Sequence, residues 1–382
     1  MANEIKHILE PWFQRLPELR GSPSLWQEFK FAAATNEAGH VSDASHQQRT
    51  NLLVALFYDQ RSSDEHLLRF LLKQEIEMLR NVPVQGDPLS LNICIGLLSR
   101  FRNVNNIELL IDAKEANTET GHAFDLVAFV APGVAKSYEH LPYLSEHHRN
   151  VFTEHLGPTA GECIVTEDEV EEWLANRTGL LPAPLENLSL ENEIFLSDLL
   201  GDITVRNNKI TDWIGSIKKW DRDHHTMLFD YEQMRGNVQG QITALKKLGE
   251  YYEDRSINKQ MNFYMLSGLY LQAKNTDEAY KNICHSLTHY AEAMQFVSCR
   301  MYVDRFLDII LAINNRYDPI CTASFKWIKQ YLDVEPWLQN WDIRIIPRIM
   351  TASTLAGDND TMKKFSELFR ARKKERDNTA NH

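Results

Sequence analysis

Residues 260–290 read QMNFYMLSGLYLQAKNTDEAYKNICHSLTHY, and this stretch is the most informative part of the sequence about the fold. Large apolar residues recur every three or four positions on both sides of a short polar segment, which is the spacing of amphipathic helices. The pattern predicts helices over 259–273 and 277–290, with a turn between them. The stretch is therefore expected to be a helical hairpin.

Seven residues of this hairpin match the size pattern of a tetratricopeptide repeat when it is aligned on Asp277-Glu278-Ala279: Phe263, Leu266, Ser267 and Tyr270 in the first helix, and Ala279, Ile283 and Ser286 in the second. In such repeats, small residues let the two helices approach and large ones fill the groove between hairpins. The stretch resembles that family, although Ser286 replaces the usual alanine and no proline closes the repeat. A poorer echo lies at 349–369. The alternative is an ordinary helical hairpin in an irregular helical domain.

Helical periodicity continues over most of the chain, whereas alternating strand patterns are nearly absent. Apolar stripes at 52–57 and 67–72 predict a second hairpin near the N-terminus. Two sequence patterns are typical of capping boxes at helix starts: Ser62 with Glu65, and Thr166 with Glu169. The chain is therefore predicted to be all-α, with helical hairpins stacked as an irregular array similar to tetratricopeptide and HEAT repeats.

The segment 178–191, TGLLPAPLENLSLE, is the best candidate for a domain boundary because it has two prolines, a glycine and no sustained helical stripe. It is predicted to link an N-terminal helical domain over 1–177 to a C-terminal helical-repeat domain over 192–370. A basic polar tail follows over 371–382. The helices predicted after the linker are longer than those before it: 192–201, 204–220, 223–235, 237–254, 259–273, 277–290, 294–314, 318–332, 341–356 and 360–374.

Composition narrows the classes of function. The chain has 382 residues and a net charge of −12, and a negative field of this kind disfavours broad nucleic-acid binding. No apolar run approaches the length of a membrane span, and the N-terminus MANEIKHILEPWF lacks the pattern of a secretory signal. Five scattered cysteines without a CxxC pair favour a reducing compartment. We expect a cytoplasmic protein that binds neither membrane nor nucleic acid.

Stacked hairpins present a concave surface lined by the first helix of each pair, and such surfaces commonly bind peptides or partner proteins. In the clearest repeat the residues expected to face that groove are mostly apolar: Met261, Tyr264, Gly268, Leu271 and Gln272. They suit a hydrophobic peptide better than a charged one. A neighbouring helix of the same chain could equally cover them.

One stretch suggests a catalytic alternative. Residues 149–155, RNVFTEH, resemble the Arg-polar-x(4)-His signature of HEPN-type ribonucleases. The resemblance implies that Arg149 stabilises a phosphate while His155 does acid–base work on a ribose hydroxyl. Six residues on a regular helix turn by about 240° net, so a bend would be needed to bring the two together. This alternative predicts that the chain cleaves RNA and that His155→Ala abolishes cleavage.

Other polar clusters have simpler structural explanations. Asp221 and His225 could share a metal at i, i+4, but nothing nearby completes a ligand set, so neither a metal nor a cofactor is predicted. The acidic run 167–172 suits the first turn of a helix, and the cations at 370–376 suit the end of the last one. No phosphate-binding loop, dinucleotide fingerprint or kinase signature is present.

Together these observations predict a non-enzymatic scaffold that binds a protein or peptide and acts as an adaptor, a regulator or an inhibitor. Because the chain is acidic, a basic partner would gain association rate from long-range attraction, and that gain should weaken at high salt.

Overall fold

The computed structural model describes residues 4–37, 39–82, 89–118, 121, 124–288, 296–316, 318–332 and 343–379. Over these residues the chain is almost entirely helical, and helices adjacent in sequence pack in pairs. The prediction of an all-α array of helical hairpins is confirmed. The chain divides into two compact units, Met1–Ser216 and Ile217–His382.

The first unit has one large apolar core that most of its helices share. Its described α-helices are α1 (Glu4–Gly21), α2 (His46–Tyr58), α3 (Glu65–Asn81), α4 (Leu89–Ser99), α5 (Ile107–Lys114), α6 (Val134–His140), α7 (Glu146–Leu156), α8 (Glu167–Asn176), α9 (Leu190–Leu199) and α10 (Ile203–Ser216). Short 3₁₀ turns precede or follow several of them. The longest, Pro23–Phe29, follows α1 and packs against α3.

A small antiparallel hairpin, which the sequence pattern did not predict, interrupts the helices of the first unit. Strand β1 (Ala33–Thr35) pairs with β2 (Val41–Asp43), and Ala33 lies opposite Asp43. Asn36 shapes the turn by accepting a hydrogen bond from the backbone N–H of His40 at 2.9 Å. Three-residue strands are too short to show the alternating pattern by which strands are recognised.

A buried ionic network anchors this hairpin to the helices. Arg49 of α2 is fully buried, and its guanidinium donates to Glu75 of α3 at 2.7 Å and to Asp43 of β2 at 2.6 Å. Ser90 of α4 donates to the other carboxylate oxygen of Glu75 at 2.6 Å. Four elements therefore meet at one fully satisfied set of charges, as buried charges require.

The segment 178–191, expected to be a linker, packs within the first unit. Leu181 and Leu185 are buried in its core, and the hydroxyl of Tyr58 donates to the Pro182 carbonyl at 2.6 Å. The division between the units falls after α10, because Lys209 of that helix pairs with Glu4 of α1 at 3.1 Å. The prolines and the glycine of 178–191 therefore belong to an irregular segment that packs on the core.

The second unit has its own core and is also built of helical hairpins. Its described α-helices are α11 (Arg222–Met234), α12 (Val238–Tyr251), α13 (Ile257–Gln272), α14 (Thr276–Thr288), α15 (Phe296–Ile313), α16 (Pro319–Leu332), α17 (Ile346–Leu355) and α18 (Asn359–Thr379). They pair as α11 with α12, α13 with α14, α15 with α16 and α17 with α18. Three first helices also pack in succession, α13 on α15 and α15 on α17.

The helix ends can be compared with the capping boxes and the C-terminal tail predicted from the sequence. The capping box of Thr166 and Glu169 is confirmed, with the backbone N–H of Thr166 donating to the Glu169 carboxylate at 2.7 Å. The box expected at Ser62 is wrong, because Asp64 instead accepts from the backbone N–H of Arg61 at 2.7 Å. The basic segment predicted as a tail from 371 is part of α18, which runs to Thr379.

Candidate functional site

The first helices α13 and α15 form a surface with a mixed apolar and cationic character. We call it the first-helix face, and it consists of Ile257, Met261, Tyr264, Met265 and Gly268 of α13 with Met301 and Arg305 of α15. Each of these α13 residues lies three or four positions from another member of the set, so they share one side of that helix. The hydroxyl of Tyr264 donates to the Met301 carbonyl at 3.3 Å and joins the two helices.

Four apolar side chains on the first-helix face remain accessible to solvent. Ile257 is 72% exposed, Met265 38%, Met261 37% and Met301 36%. Single exposed apolar residues are normal, but several on one face of a helix pair mark an interaction surface more often. Methionine side chains are flexible and polarizable, so they adapt to ligands of varied shape.

The first-helix face also carries a guanidinium, that of Arg305. The guanidinium carbon of Arg305 is 4.7 Å from the ring centroid of Tyr264, within the range of a cation–π contact. Gly268 makes room for it, because a Cβ there would lie 2.7 Å from one terminal nitrogen of Arg305. The Nε of Arg305 is buried and has no hydrogen-bond partner among the described residues.

A charged cluster adjoins the first-helix face on α15 and α17. Arg348 of α17 pairs with Asp304 at 3.2 Å and also donates to Asp308. Burial raises the pKa of Asp308, and Arg348 only partly opposes that rise. Arg348 brings one positive charge to two carboxylates, and the charge of Arg305 also opposes the rise in the pKa of Asp308. Among the described residues, Arg305 itself forms no salt bridge.

The residues predicted to line a groove differ in their exposure to solvent. Met261 is exposed. Tyr264 is half-buried, and its ring makes the cation–π contact with Arg305. Leu271 packs on the core of the second unit, whereas Gln272 is exposed at the last position of α13. Whether any of them contacts a partner stays a prediction.

Sequence reasoning missed four members of the first-helix face. Ile257 and Met265 belong to the same helical stripe as Met261, so extending that stripe by one turn each way would have found them. Met301 and Arg305 lie in the next hairpin, outside the stretch that resembles a repeat. The pairing of Arg305 with Gly268 is visible only in three dimensions.

Arg149 and His155, the residues of the nuclease alternative, lie on one unbroken helix, α7. Arg149 is exposed and donates to the Leu144 carbonyl at 3.3 Å, while His155 is half-buried. On a regular helix six residues turn by about 240° net, so the two side chains point about 120° apart around the helix axis. The structure does not bring these two residues to a common point on α7.

Asp221 and His225, considered as metal ligands, serve the start of α11. Asp221 accepts from the backbone N–H of His224 at 3.0 Å as an N-cap. His225 instead stacks on Trp220, with centroids 5.1 Å apart, and burial lowers its pKa. Within the described residues, no group of three or more His, Cys, Asp and Glu side chains is arranged to hold a metal.

Comparison with known proteins assigns the chain to no family. No protein-family model matches the chain, and no curated protein matches it significantly. Across the described ranges, none of the helices combines the length and apolar character needed to cross a membrane. The functional argument therefore depends on the geometry of the chain itself.

Proposed function

We propose that the second unit binds a segment of a partner protein on the first-helix face and acts as an adaptor, regulator or inhibitor without catalysing a reaction. One observation carries this proposal: exposed apolar side chains share a helix face with a guanidinium that lies over the ring of Tyr264 and beside Gly268. A surface of this composition is costly to leave in water, and a bound segment would cover it.

The chemistry of the face defines the segment that fits it. Ile257, Met261, Met265 and Met301 suit apolar side chains on one side of a helical or extended peptide. Arg305 suits a carboxylate, because guanidinium–carboxylate hydrogen bonds are short and strong. We therefore propose an apolar segment that carries at least one acidic group.

The net charge of the chain has a separate consequence. At −12 it attracts a basic partner over long distances, as expected from composition. Arg305 would contact an acidic group in the bound segment, whereas the net charge of the chain would attract basic residues elsewhere on the partner. The two effects can be distinguished by their dependence on salt concentration. Raising the salt concentration should slow association with a basic partner more than it weakens a contact between apolar side chains.

Two finer features belong to the same proposal. We propose that the array is tetratricopeptide-like, on the size pattern of α13 and α14 and the succession of first helices. We propose a cytoplasmic location because Cys94, Cys163, Cys284 and Cys321 are all free thiols.

The experiment that tests the function uses two matched isoleucines. Ile257 and Ile203 are each the first residue of a helix, and they are 72% and 60% exposed. Tagged chains carrying Ile257→Asp or Ile203→Asp are used with the wild-type chain to recover partners from the native host. A stoichiometric partner retained by Ile203→Asp and lost by Ile257→Asp supports the proposal. A partner retained equally by both variants contradicts it.

A further inference from the structure

A cleft lies on the opposite side of α13 from the first-helix face. It has a volume of about 330 Å³ and is bounded by α12, α13 and α14. Lys259, Asn262, Phe263 and Leu266 of α13 lie along it, and each is three or four positions from another of the four. The cleft is therefore a second site, formed within one unit by three consecutive helices.

Two walls of the cleft are held rigidly. Asn262 is buried and donates to the Leu245 carbonyl at 2.8 Å, and Asn282 is buried and donates to the Glu278 carbonyl at 2.8 Å. Gly249 admits this packing, because a Cβ there would lie 3.0 Å from the amide oxygen of Asn262. Fixed side chains lose little freedom when a ligand binds.

The charges of the cleft do not cancel. Its three lysines are Lys246, Lys259 and Lys281, and its two carboxylates are Glu250 and Glu278. Glu278 pairs with Lys281 at 2.7 Å, and Glu250 pairs at 3.0 Å with Lys247, which lies outside the lining.

Lys246 and Lys259 therefore keep positive charge that no carboxylate within salt-bridge distance offsets in the described part of the chain. The ammonium of Lys259 donates one hydrogen bond to the Gly249 carbonyl and has two further N–H groups. A hydrogen bond from Lys281 lowers the pKa of Glu278, and the nearby charges of Lys246 and His285 add to this. The lining therefore has one more lysine than it has carboxylates.

Aromatic rings line the cleft beside these cations. The ring of Phe263 lies 5.3 Å from that of His285, with the two planes 30° apart, and Lys259 stands 5.9 Å above Phe263. A planar group can contact these rings at the same time as an anion meets the ammonium groups.

We propose that this cleft binds a small organic anion in which a phosphate or carboxylate is attached to a planar ring. Lys246 and Lys259 meet the anionic group, and Phe263 with His285 contacts the ring. This site is independent of partner binding on the first-helix face, since the two use different sides of α13.

The test is isothermal titration of the full chain with four probes: phenyl phosphate, benzoate, inorganic phosphate and benzyl alcohol. We expect saturable binding of phenyl phosphate or benzoate at one site, and binding of benzyl alcohol at least tenfold weaker because it lacks the charge. The stronger of the two anions identifies the ligand class. Absence of saturable binding by both ring-bearing anions overturns the proposal, as does equal binding of benzyl alcohol.

Charge-neutralising variants locate the site. Lys246→Gln and Lys259→Gln should each weaken binding about tenfold. Lys326→Gln removes the same charge from an exposed position on α16 outside the cleft and should leave binding unchanged. If Lys259→Gln fails to fold because its bond to Gly249 is lost, Lys246→Gln decides the matter. Equal losses in Lys246→Gln and Lys326→Gln would show a general charge effect and no site.

Discussion

The hydroxyl oxygen of Ser286 on α14 lies 2.7 Å from the hydroxyl of Tyr302 on α15. Ser286 also donates to the Gln260 carbonyl at 2.8 Å, and the Gln260 amide donates to Tyr302 at 2.7 Å. All three side chains are buried, and their bonds close a ring when Tyr302 donates to Ser286. The serine that departs from the repeat pattern therefore joins one hairpin to the next.

This ring predicts that Ser286→Ala, which restores the usual residue of the repeat, destabilises the second unit by about 1 kcal/mol. Ser267 provides the matched control, because it is also buried at a small position but its hydroxyl has no partner among the described residues. Ser267→Ala should be neutral or stabilising. Hydrogen-exchange mass spectrometry on peptides of α13 to α15 measures both. Greater protection in Ser286→Ala than in the wild-type chain would refute this account of the ring.

Gly268 should matter for binding more than for stability. Alanine is favoured over glycine inside a helix by about 1 kcal/mol, so Gly268→Ala should fold at least as stably as the wild-type chain if Arg305 can move aside. Its Cβ would displace the guanidinium from Tyr264, and affinity for the recovered partner should fall about tenfold.

The control for that substitution is Gly215→Ala on α10, where a Cβ meets nothing within 4 Å. It makes the same chemical change in a helix and should leave affinity unaltered. Surface plasmon resonance with the immobilised partner compares the two variants. If Gly268→Ala binds the partner with the affinity of the wild-type chain, the position of Arg305 over Tyr264 does not contribute to recognition.

The Arg49 network should be essential to the first unit. Glu75→Gln removes one of the two buried carboxylates that Arg49 faces and leaves Asp43, and losing a hydrogen bond between charged groups costs about 1.5–3 kcal/mol. Glu77→Gln, on an exposed position of the same helix, should change stability by less than about 0.5 kcal/mol. Amide exchange in α2 and α3 reports the difference. Similar exchange in the two variants would mean that the network is dispensable.

The same network makes the first unit sensitive to acid. Burial alone raises the pKa values of Asp43 and Glu75, but other contacts outweigh it and lower both. At Asp43 these are hydrogen bonds from Ala32, Arg49 and Ser45, and at Glu75 they are His46, Arg49 and Ser90. A carboxylate with a lowered folded-state pKa stabilises the fold above its unfolded value of about 4, and that stabilisation is lost as the pH falls through the folded value.

We therefore expect α2 and α3 to lose protection below about pH 4 and to keep it between pH 5 and 7. Glu75→Gln should show a smaller loss on acidification, because one of the two carboxylates is gone. Exchange measured across this range, corrected for the intrinsic rate at each pH, checks the prediction. An unchanged acid response in the variant would assign the effect to other carboxylates.

Much of the fold could be predicted from the sequence because helical periodicity is a local signal. The helices predicted over 223–235 and 318–332 are observed at Arg222–Met234 and Pro319–Leu332. The hairpin of β1 and β2 could not be predicted, since Arg49, Glu75 and Ser90, which secure it, are far apart in sequence. The packing of 178–191 could not be predicted either, because its buried leucines lie in a stretch without helical periodicity.

The candidate site was less accessible to sequence reasoning. Met261 and Tyr264 could be placed on one side of α13 by spacing alone, and both lie on the first-helix face. Arg305 could not, because its position depends on the approach of α15 to Gly268. The cleft beyond Phe263 was missed for the same reason, since its lysines come from three helices whose order in space no local pattern specifies.

The most direct test of partner binding at the first-helix face is site-specific photo-crosslinking. A benzophenone-bearing amino acid replaces Met261 in one chain and Ile203 in another, and both are irradiated in extract from the native host. The account predicts a discrete crosslinked partner at position 261 and none at 203, with the adduct on an apolar segment that carries an acidic residue. Adducts at neither position, or the same adducts at both, would contradict it.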